Sequence, residues 1–540
     1  MKTFVLTLPL LASLSLALSS SATDVNYWWS GDGSTPGGSG SWDTSNPHFS
    51  TATNGPFNIT WDNNSMASDR ANFTLPAGLV TVQNNGINCR RLVVHGSGYI
   101  FQGGKITSDE TGNRFVIYKY AMQAVTISNN FDLTVPGSAN IRVRNEGVLT
   151  NPLVLAGAFT FTDGSGTKWF DLEGINANGS LIEFTGALQG TPGANVRLRC
   201  GDNNANRANP RSIYNLRGAS SHNAGTHVVI GTVNVFNPAA LGIGLVQLAT
   251  STTVAGDPVR MFLYGDFDID NSIFTATAKD SGIVTATFGK ADADESSSRV
   301  NGTINLNSDT TLFNVHVGHS NAFLTFTSLV TDSTGVRGLL KTGAGTFILT
   351  GPNIYEGTTE VNAGTLLANS TGGSATGAGN VLVRNGATLG GTGRIGGSAT
   401  IQNGASLAPG QSVGTIRINQ LTLDAGSSVR WEKDAGVDVT DKAIVTNLTI
   451  AGTCTIKVIP LPGAEPDGEF VTNTIFQVVN FMDGFTNLVL DLSQTPGWDG
   501  DIVLMQDGLS IGVVLTPEPA SCALLSVLAL ALFRSPRMRS

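Results

Sequence analysis

Charge is scarce in this chain of 540 residues. Only 13% are Asp, Glu, Lys or Arg, about half the share usual in soluble domains. The formal net charge is −9 and no Lys/Arg-rich tract interrupts the body of the chain, which excludes a nucleic-acid partner whose phosphates would need neutralising. A low charge fraction beside 41% hydrophobic residues also excludes a disordered polymer. Cysteine is rare: Cys89, Cys200, Cys454 and Cys522 show no CxxC pairing, so a zinc ribbon or thioredoxin-type centre is excluded. Cys522 falls in an apolar tail. The other three read as small buried residues, with one disulfide among them left open. Proline numbers 20 against 65 glycines, and glycine this frequent excludes long helices. HExxH and P-loop motifs are missing, and with them the commonest zincin and NTPase signatures.

What is present is Val, Ile, Thr, Asn and Gly in short alternations, the composition of brief strands and tight turns, and the chain is expected to be all-β. The two ends differ from the body. Residues 1–22 carry Lys2, an apolar stretch from Phe4 to Leu18 and the small residues Ser20-Ser21-Ala22, which predicts a secretory signal peptide cleaved after Ala22. Residues 516–540 carry Pro517-Glu518-Pro519, an apolar run from Ala520 to Phe533 and then Arg534, Arg537 and Arg539. A run of about 14 residues is shorter than the roughly 20 of a spanning helix, and the arginines would hold its end on the cytoplasmic side. This hydrophobic tail predicts a transient inner-membrane location.

Between Gly338 and Val429 the sequence repeats itself. Gly345-Thr346-Phe347, Gly364-Thr365-Leu366, Ala387-Thr388-Leu389, Ala405-Ser406-Leu407 and Ser427-Ser428-Val429 end in an apolar residue at steps of 19, 23, 18 and 22. A loose period of about 20 residues fits a solenoid whose units bury their faces only by stacking. Asn-Gly and Ala-Gly pairs supply turns with positive φ, and each leads into a short alternating run such as Leu421-Thr422-Leu423. A right-handed parallel β-helix satisfies this pattern. An antiparallel sandwich also has short strands at regular spacing but does not account for the likeness between units. The expected organisation is a β-helix over 23–455, with its repeats clearest at 338–429, closing strands over 456–515 and the sorting tail.

Two resemblances follow from these residues. Leu340-Lys341-Thr342-Gly343-Ala344-Gly345-Thr346, Thr350-Gly351-Pro352-Asn353-Ile354-Tyr355-Glu356-Gly357 and Val361-Asn362-Ala363-Gly364-Thr365-Leu366, continuing to Leu389-Gly390-Gly391-Thr392-Gly393 and Leu407-Ala408-Pro409-Gly410, resemble the autotransporter-associated β-strand repeat, also called the passenger-associated transport repeat. Tyr27-Trp28-Trp29-Ser30-Gly31-Asp32-Gly33 with Gly40-Ser41-Trp42-Asp43 looks like the N-terminal region of the same secreted proteins. After Gly452 only a few strand-like runs precede the tail, so the resemblance implies the repeat fold and not self-transport. The order Pro517-Glu518-Pro519, apolar run, basic finish resembles the PEP-CTERM sorting signal. That likeness implies recognition by the membrane transpeptidase exosortase, passage through the secretion machinery and an association with exopolysaccharide.

Candidates for chemistry are few. Asp266, Asp268 and Asp270 would share one face at strand spacing and are the weak candidates for a cation such as Ca²⁺; a solvated strand face is the plainer expectation. His316 and His319 fall on opposite faces and make a poor metal pair, while Asp292, Asp294 and Glu295 beside serines read as a loop. Trp28, Trp29, Trp42 and Trp61 either cap the open hydrophobic end of the solenoid or stack on sugars. No cofactor and no catalytic residue is expected. The expected function is an exported structural or adhesive protein of the cell surface or extracellular matrix. A polysaccharide lyase or hydrolase is the alternative, marked by a clustered carboxylate or basic groove where a scaffold would show a smooth Thr/Asn face.

Overall fold

The computed structural model describes residues 25–518 except 65–68, 109–113, 121, 202–209, 250–252, 254–256, 277–285, 308–311, 333–335, 436–439 and 467–470. The leader with Ala22, and Pro519 with the apolar run behind it, lie outside the described residues. The described chain is short strands joined by turns and loops, and its two helical pieces are single 3₁₀ turns at Pro238–Leu241 and Phe485–Asn487. Among these residues no helix is long and apolar enough to cross a membrane.

Strands stack in parallel ladders, as the repeat implies, and the architecture is a β-solenoid. One long sheet runs through the molecule from Gly40–Trp42 to Thr472–Asp483, joined by seventeen successive parallel pairings. A second, amino-terminal sheet starts at Asn26–Trp29 and ends at Val330–Asp332. The third face belongs first to a five-stranded sheet, Ile87–Asn88 to Leu188–Gly190, and later to a ten-stranded carboxy-terminal sheet, Phe267–Ile269 to Leu488–Asp491.

The short period of the repeats holds only where a coil has two strands. From Thr359 onward each coil supplies one strand to the long sheet and one to the carboxy-terminal sheet. In that stretch Phe347 pairs with Leu366, Leu366 with Leu389, Leu389 with Leu407 and Leu407 with Val429. These are the residues on which the sequence units align, and all five are fully buried. Where a coil crosses three faces registered residues lie farther apart: Phe170 pairs with Leu198 and Ile273 with Ile304, whereas Tyr214 pairs with Val233 in a two-strand coil. The period of about 20 read from 338–429 therefore does not extend to the three-faced coils.

The boundary expected at 455–456 falls inside the strand Cys454–Pro460, and parallel pairing continues beyond it to Asp491. The true closing element is the antiparallel pair Trp498–Leu504 with Ile511–Pro517, whose far strand also runs antiparallel to Thr472–Phe476. Pro517 thus belongs to the last strand, opposite Trp498, and the Glu518 amide donates to the Gly497 carbonyl at 2.8 Å.

The opposite end is sealed. Pro47–Ser50 pairs antiparallel with Asn26–Trp29, and Ile59–Thr60 pairs with it in turn, covering the edge of the amino-terminal sheet. Beneath them Trp29, Trp42, Phe49 and Trp61 are fully buried, with Phe49 and Trp61 centroids 4.9 Å apart. Trp61 Nε1 donates to the Asn88 carbonyl and Trp29 Nε1 to that of Gly38, so two of the indoles enter the core with their polar atoms satisfied. Three of the four tryptophans are plugs, which removes them as a sugar-stacking surface. Trp28 alone remains part exposed, 5.5 Å from the His95 ring.

Candidate functional site

The carboxylate triplet opens the carboxy-terminal sheet. Asp266, Asp268 and Asp270 alternate with the more buried Phe267 and Ile269, so all three point to solvent from one face. Each starts a row across coils. Asp266 accepts from the Ser297 amide, and Asp270 Oδ1 accepts from Asn301 Nδ2 at 2.9 Å, whose own Oδ1 accepts from Thr327 Oγ1 at 2.8 Å. Asp268 stands opposite Arg299, which stands opposite Thr325. Open grooves of about 330 and 620 Å³ flank Asp268. Nothing in this row brings two carboxylates face to face across a substrate-sized gap, because the aspartates lie side by side along one strand. Among the described residues no three His, Cys, Asp or Glu side chains gather as metal ligands.

His316 meets Asp292 through Nε2 at 2.8 Å and Thr342 Oγ1 through Nδ1 at 3.0 Å, an acid–imidazole–hydroxyl order that superficially suggests nucleophilic catalysis. The hydroxyl proton is already engaged, since Thr342 Oγ1 donates to Asn314 Oδ1 at 2.8 Å. With its proton held by Asn314, the Thr342 hydroxyl is not set up to pass it to the imidazole. His319 lies 3.4 Å from Glu295 instead, so the two histidines are not brought together. Asp294 leaves the supposed loop cluster to pair with the buried Lys290 at 2.7 Å. Cys89, Cys200 and Cys454 are buried, and no disulfide joins any two of them.

The densest polar cluster escaped sequence reading. On the outward side of the amino-terminal sheet Arg142 and Arg144 stand opposite Asp171 and Glu173, and Asp171 stands opposite Arg199. Arg144 grips Glu173 Oε2 through Nε and Nη2 at 2.9 and 2.6 Å, and Arg199 grips both Asp171 oxygens at 2.8 and 2.5 Å. Arg142 Nε lies 3.4 Å from Glu173. The guanidinium groups of Arg197 and Arg199 sit 5.0 and 4.6 Å from the Trp169 centroid, and Tyr118 donates to Glu146. Asp171 and Glu173 are fully buried. Ion-paired to arginine and shut off from solvent, these carboxylates are not placed to act as a base, and the cluster is a clamp between coils. Its signal was available: charged residues at i and i+2, basic then acidic then basic, recur one coil apart.

The repeat motif itself is accounted for by structure. Gly343 has φ of +79°, and a Cβ there would strike the Val317 carbonyl. Buried Lys341 donates to the carbonyls of Thr342, Gly343 and Ala363 at 2.8, 2.8 and 3.1 Å, tying one corner to the next, and burial pulls its pKa down to about 7. Asn353 stands where the amino-terminal sheet has ended: its Oδ1 accepts from the Val330 amide at 2.7 Å and its Nδ2 donates to the Ala375 carbonyl at 2.6 Å. Tyr355, fully buried, meets Thr359 Oγ1 at 2.6 Å. Outside, Thr346, Thr365, Thr388, Ser406, Ser428 and Thr455 form one continuous hydroxyl row.

Residues 339–368 match the family described as Passenger-associated-transport-repeat. The chain is similar to an extracellular serine protease of Serratia marcescens, 39% identical over 108 residues that make up 20% of this chain and 10% of that protein. It is also similar to the adhesin BmaC autotransporter of Brucella suis biovar 1 (strain 1330), 27% identical over 252 residues, 46% of this chain and 6% of that one. The matched stretches thus span a tenth or less of the length of either relative.

Proposed function

We propose that this chain is an exported, non-enzymatic β-solenoid of the cell surface or extracellular matrix, a structural or adhesive rod. The observation that supports it best is the hydroxyl row from Thr346 to Thr455, a run of six coils that holds no acid or base. The carboxylates singled out above are side by side in solvent, as at Asp266, locked by arginine, as at Asp171, or paired with lysine, as at Asp294. Similarity to an adhesin and to an extracellular protease is in keeping with export. The leader delivers the chain across the inner membrane, the tail holds it there, and exosortase reads Pro517-Glu518-Pro519 and releases it, with exopolysaccharide as its surroundings.

Cell fractionation with mass spectrometry of the termini tests this reading. The exported protein is expected to begin near Thr23 and to lack the run 520–533. Substituting alanine for Pro517, Glu518 and Pro519 should keep the solenoid folded, since the Glu518 amide can still reach Gly497, and should trap the protein at the inner membrane. Exported protein that retains Met1, or a triple variant released normally with its tail removed, would overturn it.

A further inference from the structure

The two ends of the solenoid are finished differently. The amino-terminal core is sealed by fully buried aromatics, whereas at the carboxy-terminal end Leu490, Trp498 and Ile502 are only half covered. On the same closing strands Val479, Phe481, Val489 and Leu504 are 55%, 55%, 49% and 44% exposed. Strand Thr472–Asp483 pairs with the closing hairpin only up to Phe476, which leaves the edge of its second half open next to those side chains. Apolar surface and an unpaired edge at one tip mark a face that something covers.

The exit of the chain says what. Its last pairing sets Pro517 against Trp498, and the apolar run begins at Ala520, so the run leaves from this tip. As a helix, about 14 residues would reach about 21 Å, short of the roughly 30 Å of a hydrocarbon core. A tail that short draws whatever adjoins it into the interfacial layer, where a half-buried tryptophan is at home. We infer that the carboxy-terminal tip, with Val479, Phe481, Trp498 and Leu504 as its contact points, is a docking surface for a lipid bilayer, on which the rod stands while its tail is inserted. The inference rests on the tail's being membrane-directed. Charge selects the lipid: between Lys457 and Arg534 the sequence has nine acidic residues and no lysine or arginine. That end is repelled by an anionic surface and accepted by a zwitterionic one. The same carboxylates oppose tip-to-tip pairing with a second copy.

Hydrogen exchange on the full chain, with and without phosphatidylcholine vesicles, tests the assignment. Amides of 478–483 and 498–504 are expected to slow about tenfold on vesicles while those of 91–94 do not change. The slowing should diminish when phosphatidylglycerol is added at low salt. It should disappear in a variant carrying Val479→Ser, Phe481→Ser and Leu504→Ser, all exposed positions. A chain that floats with the vesicles yet gains no protection overturns the docking surface and leaves the tail reading standing. Protection that appears without lipid and grows with protein concentration assigns the tip to a second copy and overturns it too. A chain that does not float sinks both.

Discussion

His222 illustrates what a buried polar residue does in a thin solenoid. Its Nε2 meets Thr226 Oγ1 at 2.9 Å, its Nδ1 has no partner among the described residues, and Gly242 of the next coil packs against the ring. Burial pulls its pKa to about 4; His227 is likewise pulled to about 4, by burial first and then by Arg197 and Arg199. An unfolded imidazole takes its proton near pH 6.5 and the folded ones do not until about pH 4. Between those values the unfolded chain binds more protons, so stability is present above pH 6.5 and is lost as pH falls toward 4, by about 1.4 kcal/mol per pH unit per histidine. His222→Leu should remove that residue's own share, about 1.4 kcal/mol per pH unit, read as the difference in urea midpoint between pH 7 and pH 4.5. The arginine clamp gives a second residue-scale expectation. Arg199→Leu strips Asp171 of its bidentate partner and leaves Arg142 at 3.9 Å, at a cost of about 3–5 kcal/mol. Pairing it with Asp171→Leu should recover most of that loss in the same titration, because the buried carboxylate that lost its partner is then gone.

At the scale of the strand, inside and outside carry unequal shares. Leu389 sits in the apolar ladder between Leu366 and Leu407, fully buried. Leu389→Ala is expected to cost about 2–5 kcal/mol through lost contacts and the cavity left behind. Its outward neighbour Thr388 should tolerate Ala at under about 1 kcal/mol. Hydrogen exchange should show the first change loosening 366–407 and the second leaving it intact. This ladder was legible in advance because its signals are local: a glycine turn, then alternation, in coils with two strands and short corners. The clamp of Arg144, Glu173, Asp171 and Arg199 was not, because its partners meet only once a longer, three-faced coil has closed.

For the whole molecule the pairings set the length. Eighteen strands of the long sheet at about 4.8 Å make a rod of about 80 Å, shorter than the roughly 100 Å implied by uniform short coils. A compact sphere of this chain length, with a radius of gyration of about 24 Å, would span only about 60 Å. Small-angle scattering should therefore return a skewed distance distribution reaching about 80 Å or more, and a symmetric one ending near about 60 Å would contradict the solenoid.

By itself the sequence determined the all-β class, the stacking of similar units and the register over 338–429, since turns and period-two alternation act between neighbouring residues. The tertiary structure alone decided the number of faces, which follows from coil lengths that vary with loops of no fixed size. It decided that three tryptophans plug one end, because only stacking shows which coil has no neighbour above it. It also decided that Asp266, Asp268 and Asp270 stay apart in water while Asp171 and Glu173 are enclosed, since burial depends on what the adjoining coil brings alongside.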